Sequence, residues 1–311
     1  MRPAWSMIFF TTLSGTGQGL FLALAATDAA SSAGVLPAAA GGLLPAGALL
    51  SALLCGLGLV AAAFHLGHPL RAWRAMAMWR TSWLSREVIV LPAFIAVALG
   101  WAAALLHGGP VLALGLLGCA LALLLFLCTG MIYGAVTVIR EWATPLTPLN
   151  FGLMGLASGT LVAAALAAWH TPALARPLAL AALFATAVAA AVRGGTLWRN
   201  ARLAPKTTLQ TALGIRHPRI VQTSQGMMGG SFGTREFVHG QTEQTVRLTR
   251  LGAALAGFML PAAVLALVAA QPGVGVLVLL CLLQWGGLLA ERWVFFADAR
   301  HPQTLYHARG A

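Results

Sequence analysis

The sequence predicts an all-α membrane protein built as one bundle of eight transmembrane helices. Of its 311 residues, 59% are hydrophobic and only 8% are charged, and the mean hydropathy is +0.84. A soluble domain carries about 25% charged residues, so this composition excludes a water-soluble fold. Apolar segments recur along the whole chain, and the basic residues concentrate in every second connection between them.

A hydrocarbon core of about 30 Å requires about 20 apolar residues in each crossing helix. Eight segments satisfy this requirement: 7–30, 42–64, 87–107, 110–138, 148–169, 177–198, 251–270 and 274–296. The first segment also resembles a signal peptide, because Arg2 precedes it and small residues follow it. Its apolar run is long for a signal peptide and seven more spans follow, so we predict a retained helix.

The first span contains the motif GTGQG at Gly15–Gly19. A dinucleotide-binding glycine motif follows a β-strand within a βαβ unit, and that context is missing here. Small residues at this spacing allow membrane helices to approach closely. The motif therefore predicts helix packing, with Ser14 and Gln18 as polar lining.

The distribution of charge predicts the orientation of the bundle. With eight spans, both termini and the loops 65–86, 139–147 and 199–250 share one side. All Lys and Arg residues except Arg176 belong to this side, if Arg193 is counted with the long loop and Arg292 with the C-terminus. Cytoplasmic loops carry such an excess, so we expect both termini in the cytoplasm and the chain in a bacterial inner membrane.

The net charge of +12 does not predict nucleic-acid binding. A DNA-binding protein concentrates basic residues on a soluble face, whereas these lie between apolar spans and orient the chain in the lipid bilayer. The cysteines are scattered through apolar runs without a CxxC pair, which argues against disulfide, zinc or iron–sulfur sites. No histidine lies in the middle of a span, so we predict no haem.

The stretch Phe64–Glu87 concentrates titratable groups at one membrane edge. It contains two histidines, four arginines and three tryptophans, and a hairpin would bring His65 and Glu87 together. Ionisable residues at membrane depth indicate function, and histidine titrates near neutrality. Structural alternatives remain open: Ser85 could cap the third helix and place Glu87 in its first turn, and His65 could bind a backbone carbonyl.

Two further segments lie on the same side. In Arg140–Phe151, the residues Thr144, Thr147 or Asn150 can cap the fifth span, or with Tyr133 they can line a polar pocket. The loop 199–250 interleaves apolar with polar residues. Long loops of this kind are functional or disordered, and this composition predicts a docking surface for a soluble partner.

The motifs HLGHPLRAWRA, SWLSREV, WATPLTPLNFGLMGL and GMMGGSFGTREFVHG occur in this order and resemble the dimethyl sulfoxide reductase anchor-subunit family. The resemblance spans the whole chain and implies an eight-helix, quinone-reactive membrane anchor without haem. Such an anchor holds an Fe–S electron-transfer subunit and a molybdopterin catalytic subunit. The resemblance implies that the Fe–S subunit docks on 65–86 and 199–250, including the SFGTREF segment.

The same resemblance implies that His65 and Glu87 form the site for ubiquinone or menaquinone. His65 would hydrogen-bond a quinone oxygen and Glu87 would relay protons. Further residues expected at the quinone are Arg71, Ser14, Tyr133 and Thr147.

The cytoplasmic orientation favours a relative within the family, the anchor of cytoplasmic sulfite dehydrogenase (sulfite:quinone oxidoreductase). One alternative is the menaquinol-oxidising anchor of a dimethyl sulfoxide or amine oxide reductase. A transporter is a distant alternative, because no inverted repeat and no mid-span ionisable residue is evident in the sequence. A purely structural anchor is the remaining alternative.

Overall fold

A computed structural model of the protein describes residues 2–39, 42–64, 66–109, 111–204, 207–221 and 239–302. In these residues the chain is all-α, and eight helices are long and apolar enough to cross a membrane. They are α1 (Trp5–Ser32), α2 (Leu43–Ala63), α3 (Trp83–His107), α4 (Val111–Gly134), α5 (Leu146–His170), α6 (Pro172–Ala201), α8 (Glu243–Val268) and α9 (Val274–Ala297). The eight-helix membrane fold predicted from the sequence is thus confirmed.

Several helices extend beyond the predicted apolar spans, because polar first turns carry little hydropathy. Helix α3 begins at Trp83, where Ser82 caps it by accepting a hydrogen bond from the Ser85 amide at 3.3 Å. Helix α8 begins at Glu243 behind a similar cap from Thr242. Helix α6 begins with Pro172 in its first turn, a position that suits proline because the amide there has no helical partner.

Short helices occupy two of the connections on the basic side. A 3-10 helix, Pro69–Met78, links α2 to α3. A single-turn helix, α7 (Leu209–Leu213), follows α6, and Thr208 and Thr211 cap it reciprocally. Because α6 and α8 extend into 199–250, the connection between them is shorter than predicted. The SFGTREF segment lies outside the described residues.

Helix α1 lies at the centre of the bundle, in contact with α2, α4, α5 and α9. Its glycines face other backbones: a Cβ on Gly19 would overlap the backbone of Gly155 in α5. Hydrogen bonds reinforce the packing, from the Ser51 hydroxyl to the Gly17 carbonyl at 2.7 Å and between the Thr16 and Ser158 hydroxyls at 3.0 Å. The close packing predicted for Gly15–Gly19 is confirmed.

The bundle has an aromatic core and an apolar exterior. Phe21 of α1 packs against Phe94 and Trp101 of α3, and all three rings are fully buried. Large apolar side chains are exposed on the outside, among them Leu112, Leu123, Leu267 and Leu279. An exposed apolar surface of this extent is expected of a helix bundle that lipid surrounds.

A second aromatic group lies at the basic end of the bundle and is called the aromatic cluster here. Its members are Tyr133, Trp142, Phe151, Phe295 and Phe296. The Trp142 indole donates a hydrogen bond to the Phe295 carbonyl at 3.1 Å. The cluster therefore ties the ends of α4, α5 and α9 together beside the polar groups described next.

Candidate functional site

Glu87 is a buried carboxylate that joins α3 to α4. Its residue is only 3% exposed, and the Thr129 hydroxyl of α4 donates a hydrogen bond to its Oε1. Because α3 begins at Trp83, Glu87 lies in the second turn, and no acidic residue occupies the first. The interpretation of Glu87 as a first-turn residue behind a Ser85 cap is therefore wrong.

The other half of the predicted pair, His65, lies outside the described residues. Its neighbours Phe64 and Leu66 follow the end of α2 at Ala63, and both are exposed. Arg71 lies nearby along the chain, in the first turn of the 3-10 helix, with its side chain exposed. The structure thus positions Glu87 in detail, whereas the partnership of His65 with Glu87 stays a prediction.

Tyr133 lies on α4 beyond the residue that binds Glu87. It follows Thr129 by one helical turn on the same face of α4, and its ring stacks on Phe151 with centroids 5.6 Å apart. The phenol is within electrostatic range of both Glu87 and Arg292. Tyr133 is therefore a buried phenol of the aromatic cluster, one helical turn along α4 from the Glu87–Thr129 hydrogen bond.

Ser14 and Thr147, two further residues predicted at the quinone, make their contacts away from Glu87. Ser14 is buried where α1 meets α2, and a Cβ on Gly58 would overlap its hydroxyl oxygen. The Thr147 hydroxyl donates to the Trp142 carbonyl at 2.7 Å, so it stabilises the turn before α5. Neither residue makes a hydrogen bond with Glu87 in the described part of the chain.

A buried group of charges was not predicted from the sequence. Arg193 of α6 and Glu291 of α9 form an ion pair of 2.8 Å, and Nε of Arg292 lies 3.7 Å from the other Glu291 oxygen. These three residues, called the ionic cluster here, are each at most 7% exposed. Counting Arg193 with a loop and Arg292 with the C-terminus was therefore wrong, because both lie inside helices.

The position of Arg292 differs from that of a surface arginine. Its guanidinium lies 3.7 Å from the centroid of the Phe151 ring, and Nη2 approaches the Met154 sulfur at 3.5 Å. Ionisable residues inside apolar spans are the signal that predicts such a group from sequence. Arg193, Glu291 and Arg292 all fall within the spans 177–198 and 274–296, so that signal was present.

A polar cleft borders the ionic cluster. Its empty space, open to solvent, is about 400 Å³, and α5, α6 and α9 supply most of its walls. Asn150 lines it and donates to the Thr196 hydroxyl at 2.8 Å and to the Leu146 carbonyl at 2.7 Å. Thr147 also lines the cleft, so two of the residues expected as caps of the fifth span face a polar space.

The 3-10 helix and the turn that follows it present a basic, aromatic surface. Arg74 and Arg80 lie over the rings of the adjacent Trp73 and Trp79, with centroid distances of 5.6 and 5.4 Å. All four side chains are exposed. Such stacking orders arginine side chains while leaving their hydrogen-bond donors free.

Comparison with known proteins agrees with this architecture. The family model described as "DMSO reductase anchor subunit (DmsC)" matches residues 1–297. One of the subunits of a sulfite dehydrogenase from Allochromatium vinosum is 45% identical over 99% of this chain and 99% of its own length. The anaerobic dimethyl sulfoxide reductase chain YnfH of Escherichia coli is 34% identical over 37% of this chain and 41% of its own. The chain is a membrane protein that belongs to the DMSO reductase anchor subunit family.

Proposed function

We propose that this chain is the quinone-reactive membrane subunit of a sulfite:quinone oxidoreductase. In this proposal a molybdopterin subunit oxidises sulfite, the electrons pass through an Fe–S subunit, and the anchor delivers them to a membrane quinone. The buried Glu87 carboxylate held by Thr129 is the observation that carries the quinone role. The similarity to a sulfite dehydrogenase protein over nearly the whole chain supports the choice of substrate.

The residues around Glu87 suit a quinone. A quinone ring needs apolar walls and polar groups near its two oxygens, and its reduction takes up two electrons and two protons. Glu87 can hold a proton in a buried position, and the Thr129 hydroxyl fixes the direction of its carboxyl group. His65, which follows the end of α2 by two residues, would donate a hydrogen bond to a quinone oxygen.

The other residues predicted to contact the quinone lie in different parts of the bundle. Tyr133, one helical turn from Thr129 on α4, would contact the quinone beside Glu87. The exposed Arg71 would hold the connection or interact electrostatically with the quinone head group. Ser14 would contact only the deeper part of a bound quinone, between α1 and α2. Thr147 faces the polar cleft, so we assign it no direct quinone contact.

The partners are proposed to bind on the cytoplasmic face of a bacterial inner membrane, with both termini on that side. The concentration of basic residues there supports this orientation. The exposed arginines of the 3-10 helix offer charge-assisted contacts to an acidic surface on the Fe–S subunit. The connection between α6 and α8 would complete the docking surface.

The test of the quinone role compares two electron acceptors. We expect His65→Ala and Glu87→Gln to lower quinone-dependent sulfite oxidation by roughly 100-fold, the usual scale for loss of an acid–base group. Turnover with a soluble artificial acceptor should persist, because the molybdopterin subunit remains intact. His68→Ala is the matched control, since His68 is an exposed histidine in the same connection. Equal loss with both acceptors, or loss with neither, would contradict the proposal.

A reductase role is the second candidate, and the similarity to YnfH is the observation that favours it. The same site would then oxidise menaquinol and supply electrons to a dimethyl sulfoxide or amine oxide reductase. Purification of the complex distinguishes these alternatives. The catalytic subunit that co-purifies with the anchor will either oxidise sulfite or reduce dimethyl sulfoxide or an amine oxide. A transporter would purify without molybdenum and Fe–S partners.

A further inference from the structure

The 3-10 helix Pro69–Met78 is amphipathic. A 3-10 helix completes a turn in about three residues, so side chains three residues apart lie above one another. The large apolar side chains share one side of the helix, called the apolar stripe here: Leu70, Trp73 and Met76. The basic side chains share the next side, called the basic stripe here: Arg71 and Arg74. The helix thus presents two chemically different surfaces a third of a turn apart.

The bundle covers the remaining side of this helix. Ala72 and Ala75 occupy that side and are half-buried, and the helix packs against α3. Arg86, in the first turn of α3, fastens the turn that follows the helix. Its Nε donates to the Trp79 carbonyl at 2.9 Å and its Nη2 donates to the Arg80 carbonyl at 2.8 Å. These contacts fix the rotation of the helix and leave the apolar stripe pointing away from the bundle.

The apolar stripe is exposed along its whole length. Leu70 is 94% exposed and Trp73 is 64% exposed, and Met76 is exposed as well. A contiguous apolar surface of this kind marks a site of contact with another molecule or with a membrane. The position of the helix and the surface next to it decide between these two.

The 3-10 helix lies close to the edge of the hydrocarbon core. Helix α2 has 21 residues, and at 1.5 Å per residue its length of about 31 Å matches a hydrocarbon thickness of about 30 Å. Phe64, which follows α2, therefore lies near that edge. The short segments 64–68 and 79–82 join the 3-10 helix to α2 and α3. Segments of this length reach at most about 18 Å, so the helix stays at the membrane surface.

The lipid-facing surface of α2 leads to the apolar stripe. Exposed apolar side chains recur along α2 and its end at intervals of three or four residues: Leu53, Leu57, Val60 and Phe64. Side chains at this spacing share one face of a helix, and lipid covers an exposed apolar face of a membrane-spanning helix. The apolar stripe is the next exposed apolar surface along the chain and carries no charge. Lipid is therefore a better match for it than a soluble subunit.

We infer that the 3-10 helix lies in the plane of the membrane surface and binds phospholipid through its apolar stripe. The apolar face of such an interfacial helix enters about 5–10 Å into the boundary between head groups and acyl chains. Trp73 suits this depth, because tryptophan is enriched at membrane–water interfaces. The basic stripe then faces the head groups and water, which leaves Arg71 and Arg74 for the Fe–S subunit. Docking on this helix is thus limited to its basic stripe.

Photocross-linking in the intact complex tests the lipid contact. The photoreactive residue p-benzoylphenylalanine replaces Leu70 in one variant and Trp73 in another, and each complex is placed in nanodiscs of phosphatidylethanolamine and phosphatidylglycerol with radiolabelled acyl chains. Both variants should label lipid, as should a variant with the same residue at Leu267, a highly exposed leucine of α8.

Ala77 provides the matched control, because it is exposed in the same helix and lies in line with the basic stripe. The photoreactive residue at Ala77 should label several-fold less lipid than at Leu70 or Trp73. Cross-links from Leu70 and Trp73 to the Fe–S subunit in place of lipid would overturn the inference. Equal lipid labelling from all three positions would overturn it too, since the contact would then not depend on the side of the helix.

A second measurement uses the native tryptophan. The difference in fluorescence between the wild type and Trp73→Phe gives the emission of Trp73. Lipids brominated near the head-group end of their acyl chains should quench this emission, and its full persistence would contradict the inference. Both measurements are made without quinone, so the lipid contact and the proposed function can fail separately. Glu87→Gln should therefore lose quinone-dependent turnover and keep the lipid cross-links from Leu70.

Discussion

The Thr129 hydroxyl of α4 donates a hydrogen bond to the Glu87 carboxylate of α3, and both groups are buried at the basic end of the bundle. The bond fixes one carboxyl oxygen and so sets the direction in which the other can exchange a proton. Hydrogen bonds to charged groups contribute about 1.5–3 kcal/mol. The geometry of Glu87 therefore depends on a residue that carries no charge itself.

Thr129→Val keeps the shape of the side chain and removes the donor. We expect quinone-dependent turnover to fall roughly 10-fold, because about 1.4 kcal/mol of lost interaction corresponds to that factor. Steady-state kinetics with quinone and with an artificial acceptor measure the effect, which should appear only with quinone. Thr137→Val is the control, since Thr137 is exposed beyond the end of α4. Normal quinone kinetics in Thr129→Val would argue against a positioning role.

Two ion pairs of equal length show how burial changes the contribution of an ion pair to stability. Arg193–Glu291 and Arg250–Asp298 each have an N–O distance of 2.8 Å, but the Arg250 side chain is 45% exposed and that of Arg193 only 8%. Arg193→Ala should lower the free energy of unfolding by about 3–5 kcal/mol, since it leaves a buried carboxylate without its partner. Arg250→Ala should cost less than about 1 kcal/mol. Denaturation of the purified anchor in detergent measures both, and equal losses would contradict the burial argument.

The contact between α1 and α5 predicts a steric effect. A Cβ on Gly155 would lie 2.7 Å from the Gly15 carbonyl oxygen and 2.5 Å from the Phe126 ring. Gly155→Ala should therefore destabilise the bundle by about 1–3 kcal/mol through overpacking. Gly56→Ala is the control: Gly56 lies in α2 with open space around it, and alanine favours the helix by about 0.5–1 kcal/mol. The two substitutions should shift the thermal unfolding midpoint in opposite directions.

Much of the fold could be predicted from the sequence, because hydropathy alone determines which segments enter a bilayer. The helix ends could not, since caps such as Ser82 and Thr242 act on polar first turns that contribute nothing to an apolar span. The packing of Gly15–Gly19 was predictable because small residues at that spacing allow close approach. Its partners Ser51 and Gly155 became evident only from the three-dimensional arrangement.

The candidate site was predictable only in part. Glu87 is conspicuous in sequence as an acidic residue at the start of an apolar span, whereas nothing local distinguishes Thr129 from other span hydroxyls. Arg193 and Arg292 were assigned to the membrane edge because basic residues near span ends usually face water. Glu291 pairs with Arg193 across 98 residues of chain, and only the packing of α6 against α9 reveals that pairing.

The orientation of the bundle can be tested directly. A reporter fused at the C-terminus should report the cytoplasm, because the connections rich in Arg lie on that side. A reporter inserted at Gly108, between α3 and α4, should report the opposite side. A periplasmic signal from the C-terminal fusion would overturn the proposed cytoplasmic sulfite chemistry, whatever the insertion at Gly108 reports.

The central position of α1 has a consequence for biogenesis. Its polar residues Thr11, Thr12, Ser14, Thr16 and Gln18 are all buried in the bundle, yet α1 is synthesised before the helices that pack around it. The hydroxyl that pairs with Thr16 belongs to Ser158, which is synthesised 142 residues later. The side-chain donors of Thr11, Thr12, Thr16 and Gln18 bond to carbonyls of α1 itself, so what α1 lacks until α5 is made is the Ser158 hydroxyl and the close backbone contact at Gly155. The bundle therefore cannot complete its packing around α1 before α5 is synthesised. Truncation before α5 should leave a chain that is inserted in the membrane but prone to degradation.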